Sequence, residues 1–223
     1  MSDALPTIAI IGGTGNLGPG LARRWARAGY PVIIGSRTRD KAEAAVAELH
    51  TVMSGRGCKQ ILVEAQDNVG AAEKADIVVL TVPFEHHAST LESIKSAVLG
   101  KILVDVTVPL VPPKVARVQM PAQGSAGQIA QAILGEDVRV VSAFQNVAAH
   151  NLQDGHVLDC DVLVCGNDKA AREEVIKLVS AAGMRGLHAG SIANALAVEA
   201  MTSLLIFINK QYQCHSGIRI TGV

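Results

Sequence analysis

Short apolar runs alternate with amphipathic segments along most of the chain. The runs are rich in β-branched residues, which is typical of strands that a parallel sheet buries on both faces. They occur at residues 8–11, 31–35, 61–63, 76–83, 101–106, 138–142, 161–166 and 184–188. Helical spacing of apolar residues occurs at residues 17–28, 40–49, 71–74, 86–99, 128–134 and 168–182. The alternation predicts an α/β fold with a doubly wound, mostly parallel Rossmann-type sheet.

Two further stretches of the pattern set the expected domain organisation. Residues 107–127 are rich in proline and predict a long loop near a site. Residues 192–211 predict a long apolar helix, and its interrupting polar residues favour a buried helix over a membrane span. This helix is too apolar to face water on all sides, so we expect it to pack into a cleft or against a second subunit of a homodimer. The predicted boundary separates a larger domain, residues 1–150, from a smaller C-terminal lobe, residues 151–223.

The composition argues against a strongly charged partner. The 223 residues include 20 Lys and Arg and 20 Asp and Glu, and 3% are aromatic. Duplex nucleic acid needs a basic surface and single strands need aromatic stacking platforms, so we expect no nucleic-acid partner. The amino terminus lacks an export signal, and the four cysteines form no C-x-x-C pair. These features predict a cytoplasmic protein with free thiols and no membrane partner.

A glycine-rich turn follows the first apolar run. Gly13, Gly15 and Gly18 have G-x-G-x-x-G spacing between a strand ending at Ile11 and a helix beginning near Leu17. Such glycines allow a tight turn, close approach of a pyrophosphate and close packing of helix on strand. The context predicts a dinucleotide site, with the free N–H groups of the helix facing the phosphates; a glycine turn that binds nothing is the alternative. The predicted contacts are Gly13, Thr14, Gly15, Asn16 and Leu17.

The end of the second strand distinguishes the two nicotinamide dinucleotides. Enzymes that use NAD usually place Asp or Glu here, about 20 residues after the glycines, to bind the ribose 2′-hydroxyl. Ser36, Arg37 and Lys41 occupy this stretch instead. A hydroxyl and two cations can bind a 2′-phosphate that a carboxylate would repel, which predicts NADP. The alternative is that Arg37 and Lys41 only face water at the start of the next helix.

The fourth predicted strand ends at a proline, at the same edge of the sheet as the glycine turn. Residues 81–84 are therefore expected to flank the adenosine or the nicotinamide half of the dinucleotide. Pro83 would end the strand in any case, so a ligand contact and simple termination both remain open. His86 and His87 are adjacent and point in different directions on a helix, so we predict no shared metal.

Five motifs carry a resemblance to a known family: residues 12–18, residues 35–37 with Lys41, and residues 80–86, 141–149 and 217–220. Together they resemble the NADPH-dependent F420 reductases, also called F420H2:NADP oxidoreductases. The first two motifs also occur in other NADP-dependent reductases and in the reductase domain of eukaryotic metalloreductases, whereas the last two are more particular to the deazaflavin enzymes. The resemblance covers nearly the whole chain.

The resemblance implies reversible hydride transfer between C4 of NADP(H) and C5 of the deazaflavin coenzyme F420, with both rings face to face. It implies that residues 14–17 meet the pyrophosphate and that Ser36, Arg37 and Lys41 meet the 2′-phosphate. The C-terminal lobe would form the deazaflavin side of the cleft, with Ser216 and Gly217 near the deazaflavin ring. The residues that would line NADP are Val82, Phe84, Ala88, Val108 and Ala149.

The chemistry implied here requires no acid, base or metal from the protein, because both substrates carry their own reactive atoms. We accordingly predict no catalytic side chain. Two alternatives remain open at this point. One is an NADPH-dependent reductase of another acceptor, such as a flavin, a ferric chelate or an imine. The other is a non-enzymatic NADP(H) sensor that acts through a protein partner.

Overall fold

The computed structural model describes residues 4–15, 17–55, 61–153 and 158–223. Within these residues, eight strands form one sheet of order β3-β2-β1-β4-β5-β6-β7-β8. The strands are Ile8–Ile11 (β1), Val32–Ser36 (β2), Val63–Asp67 (β3), Ile77–Leu80 (β4), Ile102–Asp105 (β5), Arg139–Ser142 (β6), Asp161–Gly166 (β7) and Arg185–His188 (β8). All neighbours pair in parallel except β6 and β7. The chain order reverses at β1, and such a reversal opens a crevice at the carboxyl ends of the strands.

Helices cover both faces of the sheet. They are Gly18–Arg27 (α1), Arg39–Gly55 (α2), Asn68–Lys74 (α3), His87–Ile94 (α4), Ala126–Leu134 (α5), Ala149–Gln153 (α6), Lys169–Ala181 (α7) and Ala195–Tyr212 (α8). Ile8 and Ile10 of β1 pack into the core with α1, α2, α6 and α7, whereas Ala9 and Ile11 pack into the core with α3, α4, α5 and α8. The predicted doubly wound, Rossmann-type sheet is confirmed.

The C-terminal residues extend this sheet. Only two residue pairs join β7 to β6, namely Gly166 with Val141 and Cys165 with Ser142. Trp25 of α1 provides a second tie to this part of the chain. Its side chain is fully buried, its Nε1 donates to the carbonyl oxygen of Leu178 at 2.8 Å, and its ring meets Phe144 edge-on. The C-terminal part is therefore attached to the rest of the molecule by a short strand pairing and by contacts of α1.

The apolar pattern placed several element boundaries wrongly, including those of the third strand, of α2 and α3, and of the last helix. The third strand is Val63–Asp67 rather than residues 61–63. It lies at the edge of the sheet and is partly exposed, so it does not need a continuous apolar sequence. The last α-helix begins at Ala195, after a 3-10 turn at Ile192–Asn194, and Ser191 makes no capping hydrogen bond with its side chain.

A buried carboxyl group fixes the start of α8 against α5. Glu199 is fully buried, and its two oxygens accept hydrogen bonds from the backbone N–H groups of Ala126 and Gly127 at 2.7 and 3.1 Å. Burial raises the pKa of Glu199 to about 8, although both backbone hydrogen bonds oppose the shift. The first turns of α8 are thus held by polar contacts inside the protein.

The second half of α8 is more exposed than predicted. Residues 192–212 are long and apolar enough to cross a membrane by length and composition alone. Glu199 and Ser203 are nevertheless buried within the protein, whereas Leu204 and Phe207 are 54% and 58% exposed. The expectation of a buried helix therefore holds for one face of α8 only, and its other face is an exposed apolar strip.

Candidate functional site

The glycine turn after β1 has the backbone geometry that close packing demands. Gly12 has a φ of 73°, and a Cβ there would lie 2.5 Å from Cγ1 of Val82. A Cβ on Gly18 would lie 2.7 Å from Cα of Gly13, which explains the close packing of α1 on the turn. A Cβ on Gly15 would meet only the carbonyl oxygen of Gly12, at 3.7 Å. Gly15 thus faces open space, where a ligand can approach the backbone.

Helix α1 presents its amino terminus to this turn. Leu17 is the N-cap residue and makes no capping hydrogen bond with its side chain, and Pro19 lies in the first turn. The first N–H groups of an α-helix have no partner within the helix, and the helix dipole adds partial positive charge there. The turn and the helix together form an environment that suits a pyrophosphate.

A cleft of about 240 Å³ opens at the carboxyl ends of β1, β2 and β4. It combines the glycine turn, the residues after β2 and the start of the loop after β4. Its lining residues are Gly12, Thr14, Gly15, Ser36, Arg37, Lys41, Asn68, Thr81, Val82, Pro83, His86 and Thr90. The cleft therefore brings together the residues predicted for the pyrophosphate and those predicted for the 2′-phosphate.

Two cations in this cleft have no acidic partner among the described residues. Arg37 and Lys41 are exposed, and neither forms an ion pair with any residue that the structure describes. Arg39, between them, is bound instead to Glu43 at 2.9 Å. Ser36 is 4% exposed and lies at the end of β2. One side of the cleft thus offers positive charge that is available to an anion.

The opposite wall of the cleft follows β4. Both the backbone N–H and Oγ1 of Thr81 donate to the carbonyl oxygen of Ile11 at 2.9 Å, which ties this wall to the glycine turn. The chain then forms a 3-10 turn at Phe84–His86. The ring of Phe84 stacks on that of His87, with centroids 5.8 Å apart and an angle of 28° between the planes. These contacts give the wall a defined shape.

A second, smaller pocket of about 100 Å³ lies between the segment after β6 and α8. Asn146 Nδ2 donates to the carbonyl oxygen of Val198 and to Oγ1 of Thr202, at 3.0 and 3.1 Å. The lining residues are Gln145, Asn146, Val147, Ala148, Thr202, Leu205, Ile206, Asn209 and Ser216. Both walls of the pocket, one from α8 and one from the segment after β6, therefore combine polar and apolar side chains.

An internal ion pair holds the C-terminal segment beside this second pocket. Arg185 binds both carboxylate oxygens of Asp161, at 2.7 and 2.6 Å, and Asp161 also accepts from the backbone N–H of Ile220. The hydrogen bond from Arg185 lowers the pKa of Asp161 to about 2. Ser216 is held in turn by Oδ1 of Asn209, which accepts from its backbone N–H and its hydroxyl at 2.7 Å.

The predicted site residues fall into four groups. Seven line the larger cleft: Thr14, Gly15, Ser36, Arg37, Lys41, Val82 and Pro83. Ser216 lines the second pocket, and Asn16 lies outside the described residues. Seven others line neither site: Gly13, Leu17, Phe84, Ala88, Val108, Ala149 and Gly217.

Two of the seven residues that line neither site, Leu17 and Gly217, have evident structural roles. The side chain of Leu17 packs against the core that contains α1 and α2, rather than toward the cleft. A Cβ on Gly217 would lie 2.7 Å from Cβ of Cys160, so glycine is needed there for the C-terminal segment to pass. For these two positions the structure provides a packing explanation that the sequence pattern did not.

Several lining residues were not predicted from the sequence. Asn68 and Thr90 reach the cleft from α3 and α4, and Oδ1 of Asn68 is buried without a hydrogen-bond partner among the described residues. In the second pocket, Thr202 and Asn209 come from α8. These positions carry no local motif. They lie outside the motifs and reach the site only when the chain folds, so a pattern along the chain cannot identify them.

Another depression, of about 500 Å³, lies at the opposite edge of the sheet. It is lined by residues that precede the strands, such as Thr7, Pro31 and Ile61, and it borders residues outside the described ranges. It has neither a glycine turn nor the amino terminus of α1. In the described part of the chain, no group of three or more metal-ligating side chains comes together. The candidate site therefore remains the cleft of about 240 Å³ at the carboxyl edge, which is larger than the second pocket but smaller than this depression.

Comparisons with known proteins agree with this geometry. The family model described as NADP oxidoreductase, coenzyme F420-dependent, matches residues 7–109. The F420-dependent NADP reductase of Methanocaldococcus jannaschii is 40% identical over 222 residues, covering 97% of this chain and 98% of that protein. The F420-dependent NADP reductase of Methanothermobacter thermautotrophicus is 40% identical over 223 residues, covering 97% and 95%.

A solved structure shares the complete fold. The structure of a protein from Arthrobacter sp. FB24 matches with a TM-score of 0.79 at 24% identity, covering 97% of this chain and 100% of that one. This likeness supports the architecture, and the two full-length relatives determine the family. The chain belongs to the family of F420-dependent NADP reductases.

Proposed function

We propose that this protein transfers a hydride reversibly between NADP(H) and the deazaflavin coenzyme F420. The observation that carries the proposal is the cleft at the carboxyl ends of β1, β2 and β4, where a glycine turn lies beside Arg37 and Lys41. The relatives that match over the full chain are named for F420 and NADP, which supports both substrates.

The larger cleft is the proposed NADP site. Thr14, Gly15 and the amino terminus of α1 would bind the pyrophosphate, as would Gly13, Asn16 and Leu17 through the backbone of the turn. Ser36, Arg37 and Lys41 would bind the 2′-phosphate, since a phosphate pairs well with a cluster of cations and a hydroxyl. The proposed lining of the rest of NADP is Val82, Pro83, Phe84, Ala88, Val108 and Ala149.

The second pocket, with Ser216 and Gly217, is the proposed deazaflavin side of the site. The nicotinamide C4 supplies the hydride, and the deazaflavin C5 accepts it. The side chains have to hold the two rings together and exclude water, and the transfer itself requires no acid or base from the protein. Residues 1–150 are the proposed NADP-binding domain and residues 151–223 the smaller lobe.

Mixing the purified protein anaerobically with NADPH and oxidised F420 tests the proposal directly. We expect the visible absorption of the deazaflavin to disappear, and to return when NADP is added in excess to reduced F420. The variant Arg39→Ala, which loses only a cation paired with Glu43 outside the cleft lining, is expected to reduce F420 at the wild-type rate and serves as a control. If NADPH binds but only a flavin, a ferric chelate or an imine is reduced, F420 is not the hydride acceptor. Binding without any turnover would indicate a sensor.

We further propose that the protein is a cytoplasmic homodimer that buries the exposed strip of α8. Leu204, Phe207 and Ile208 are exposed on this helix, and apolar strips of this kind commonly mark interfaces. Sedimentation of the wild-type protein is expected to give a dimer, and Phe207→Asp to give a monomer. A wild-type monomer at micromolar concentration would overturn this part of the proposal.

A further inference from the structure

A histidine and an aspartate form a buried pair behind the wall of the cleft. Nε2 of His87 lies 2.6 Å from Oδ2 of Asp105, and the two side chains are 1% and 0% exposed. A carboxylate can only accept hydrogen bonds, so Nε2 carries the proton between them. Burying two such groups is costly unless each is bonded. Their presence among apolar residues therefore calls for a specific role.

Asp105 joins several segments at the end of β5. Its Oδ1 accepts from the backbone N–H of Thr107 at 2.9 Å. Its carbonyl oxygen accepts from Nε2 of Gln145 at 2.8 Å and from the backbone N–H of Ala143 at 3.2 Å. Through Oδ2 it also holds His87, the first residue of α4. One residue thus fixes α4, the loop after β5 and the segment after β6 relative to each other.

Each of these segments borders one of the two candidate sites. The His87 ring stacks on Phe84, in the wall that follows β4. Oγ1 of Thr107 donates to the carbonyl oxygen of Val82, which lines the larger cleft, at 3.4 Å. Gln145 lines the second pocket. The pair therefore lies on a continuous chain of contacts that leads from the wall of one site to the wall of the other.

We propose that His87 and Asp105 are positioning residues that set the distance and angle between the two bound rings. The inference rests on the proposed function for the identity of the rings. The pair touches neither substrate in this scheme and acts through Phe84, Val82 and Gln145. Hydride transfer is sensitive to small displacements of the reacting atoms, and a shift of about 1 Å can cost about 100-fold in rate.

A positioning role differs measurably from a general structural role. The phosphates are held by the glycine turn and by Arg37 and Lys41, which have no direct contact with the pair. Disturbing the pair is therefore expected to lower kcat and to leave the affinity for 2′,5′-ADP unchanged, because this probe carries the 2′-phosphate but no nicotinamide. A general loosening of the fold would weaken both together.

The test compares His87→Leu, His87→Gln and Asp105→Asn with the control Leu91→Val. His87→Leu removes the donor, whereas the amide of His87→Gln can still donate to Asp105. Asp105→Asn removes the charge at constant volume and can satisfy only one of the two donors that face it. Leu91 is buried on the same helix, so its truncation loosens the packing of α4 while both members of the pair remain in place.

For each folded variant, kcat with NADPH and F420, the dissociation constant of 2′,5′-ADP and the fluorescence of protein-bound NADPH are measured. We expect His87→Leu to lower kcat by about 10- to 100-fold with unchanged 2′,5′-ADP binding, and His87→Gln to restore most of the rate. The emission of bound NADPH should shift toward that of the free molecule. Leu91→Val should retain the wild-type rate. If His87→Leu does not fold, Asp105→Asn is expected to lower kcat by a smaller factor, again with unchanged 2′,5′-ADP binding.

The outcomes separate the two proposals. A wild-type protein that binds NADPH but does not reduce F420 contradicts the proposed function, and the NADPH fluorescence of the variants then still tests the pair. A wild-type protein that turns over, with variants whose kcat is unchanged, overturns the inference. So does a fall in kcat that tracks the loss of 2′,5′-ADP affinity, or that Leu91→Val reproduces.

Discussion

The two candidate sites are built in different ways. The larger cleft takes its glycine turn and its cations from two short stretches of sequence, each at the end of a buried strand. The second pocket is assembled from the segment after β6, from two turns of α8 and from Ser216. The first arrangement follows from a local pattern and a parallel sheet, whereas the second depends on how the C-terminal part docks. The contrast suggests that substitutions in the two regions will have separable effects.

The largest effect is expected from Gly15→Val in the glycine turn. Gly15 faces open space and has no positive φ, so valine is compatible with the fold but fills the volume proposed for the pyrophosphate. NADPH binding should weaken by about 100-fold or more, because the added methyl groups clash with the bound pyrophosphate. Isothermal titration with NADPH measures it, and Gly55→Val, at the far end of α2 with no neighbour near its Cβ, is the matched control. Normal affinity would place the dinucleotide elsewhere.

Arg37→Ala sharpens the comparison within the same cleft. Loss of a charge-assisted hydrogen bond to phosphate costs about 1 to 3 kcal/mol, which is about a 5- to 150-fold increase in KM for NADPH. The KM for NADH should change little, because NADH has no 2′-phosphate. Arg39→Ala, which breaks only the pair with Glu43, is expected to affect neither. Equal effects of Arg37→Ala on both dinucleotides would contradict the assignment of NADP.

Asp161→Asn tests the other region. It weakens the hold on the C-terminal segment and is expected to raise the KM for F420 several-fold, with NADPH affinity unchanged. The pKa of Asp161 is lowered to about 2, so its stabilising effect is complete above the unfolded-state value and is lost as the pH falls toward 2. Thermal unfolding between pH 5 and pH 2 should therefore be less steeply pH-dependent in the variant. An equal loss of NADPH affinity would show that the two sites are not separable.

Glu199→Gln should give the smallest effect, on the docking of α8. The pKa of Glu199 is raised to about 8, so the protonated group favours the folded state at low pH and this contribution is lost as the pH rises toward 8. The melting temperature of the wild type should fall between pH 6 and pH 9, and that of Glu199→Gln should fall less. The amide can accept only one of the two backbone hydrogen bonds, so the variant starts lower at pH 6. Parallel curves would show that Glu199 does not titrate in this range.

The sequence was sufficient for the sheet and for the edge of it at which the larger cleft lies. Gly15, Ser36 and Arg37, which line this cleft, could be placed together because the carboxyl ends of parallel strands share one edge. The docking of α8 could not be predicted in this way. An apolar helix has the same sequence pattern whether it covers a core or faces another subunit. The burial of Glu199 depends in addition on the position of α5.

The pairing of His87 with Asp105 could not be predicted from the sequence for a related reason. Adjacent histidines at the start of a helix raise only the question of a metal, and Asp105 looks like an ordinary polar residue at the end of a strand. Their contact depends on the register of β4 and β5, in which Leu80 lies opposite Asp105. Polar contacts between distant segments form only where a particular register and helix position coincide.

The single tryptophan of the chain, Trp25, lies at the joint between α1 and α7. Its indole emission is therefore an intrinsic reporter of whether the C-terminal part remains attached. If this part detaches first during denaturation, the emission will shift to longer wavelength while NADPH is still bound by the rest of the molecule. Comparing the two signals in one titration would resolve a stepwise dissociation without any added label.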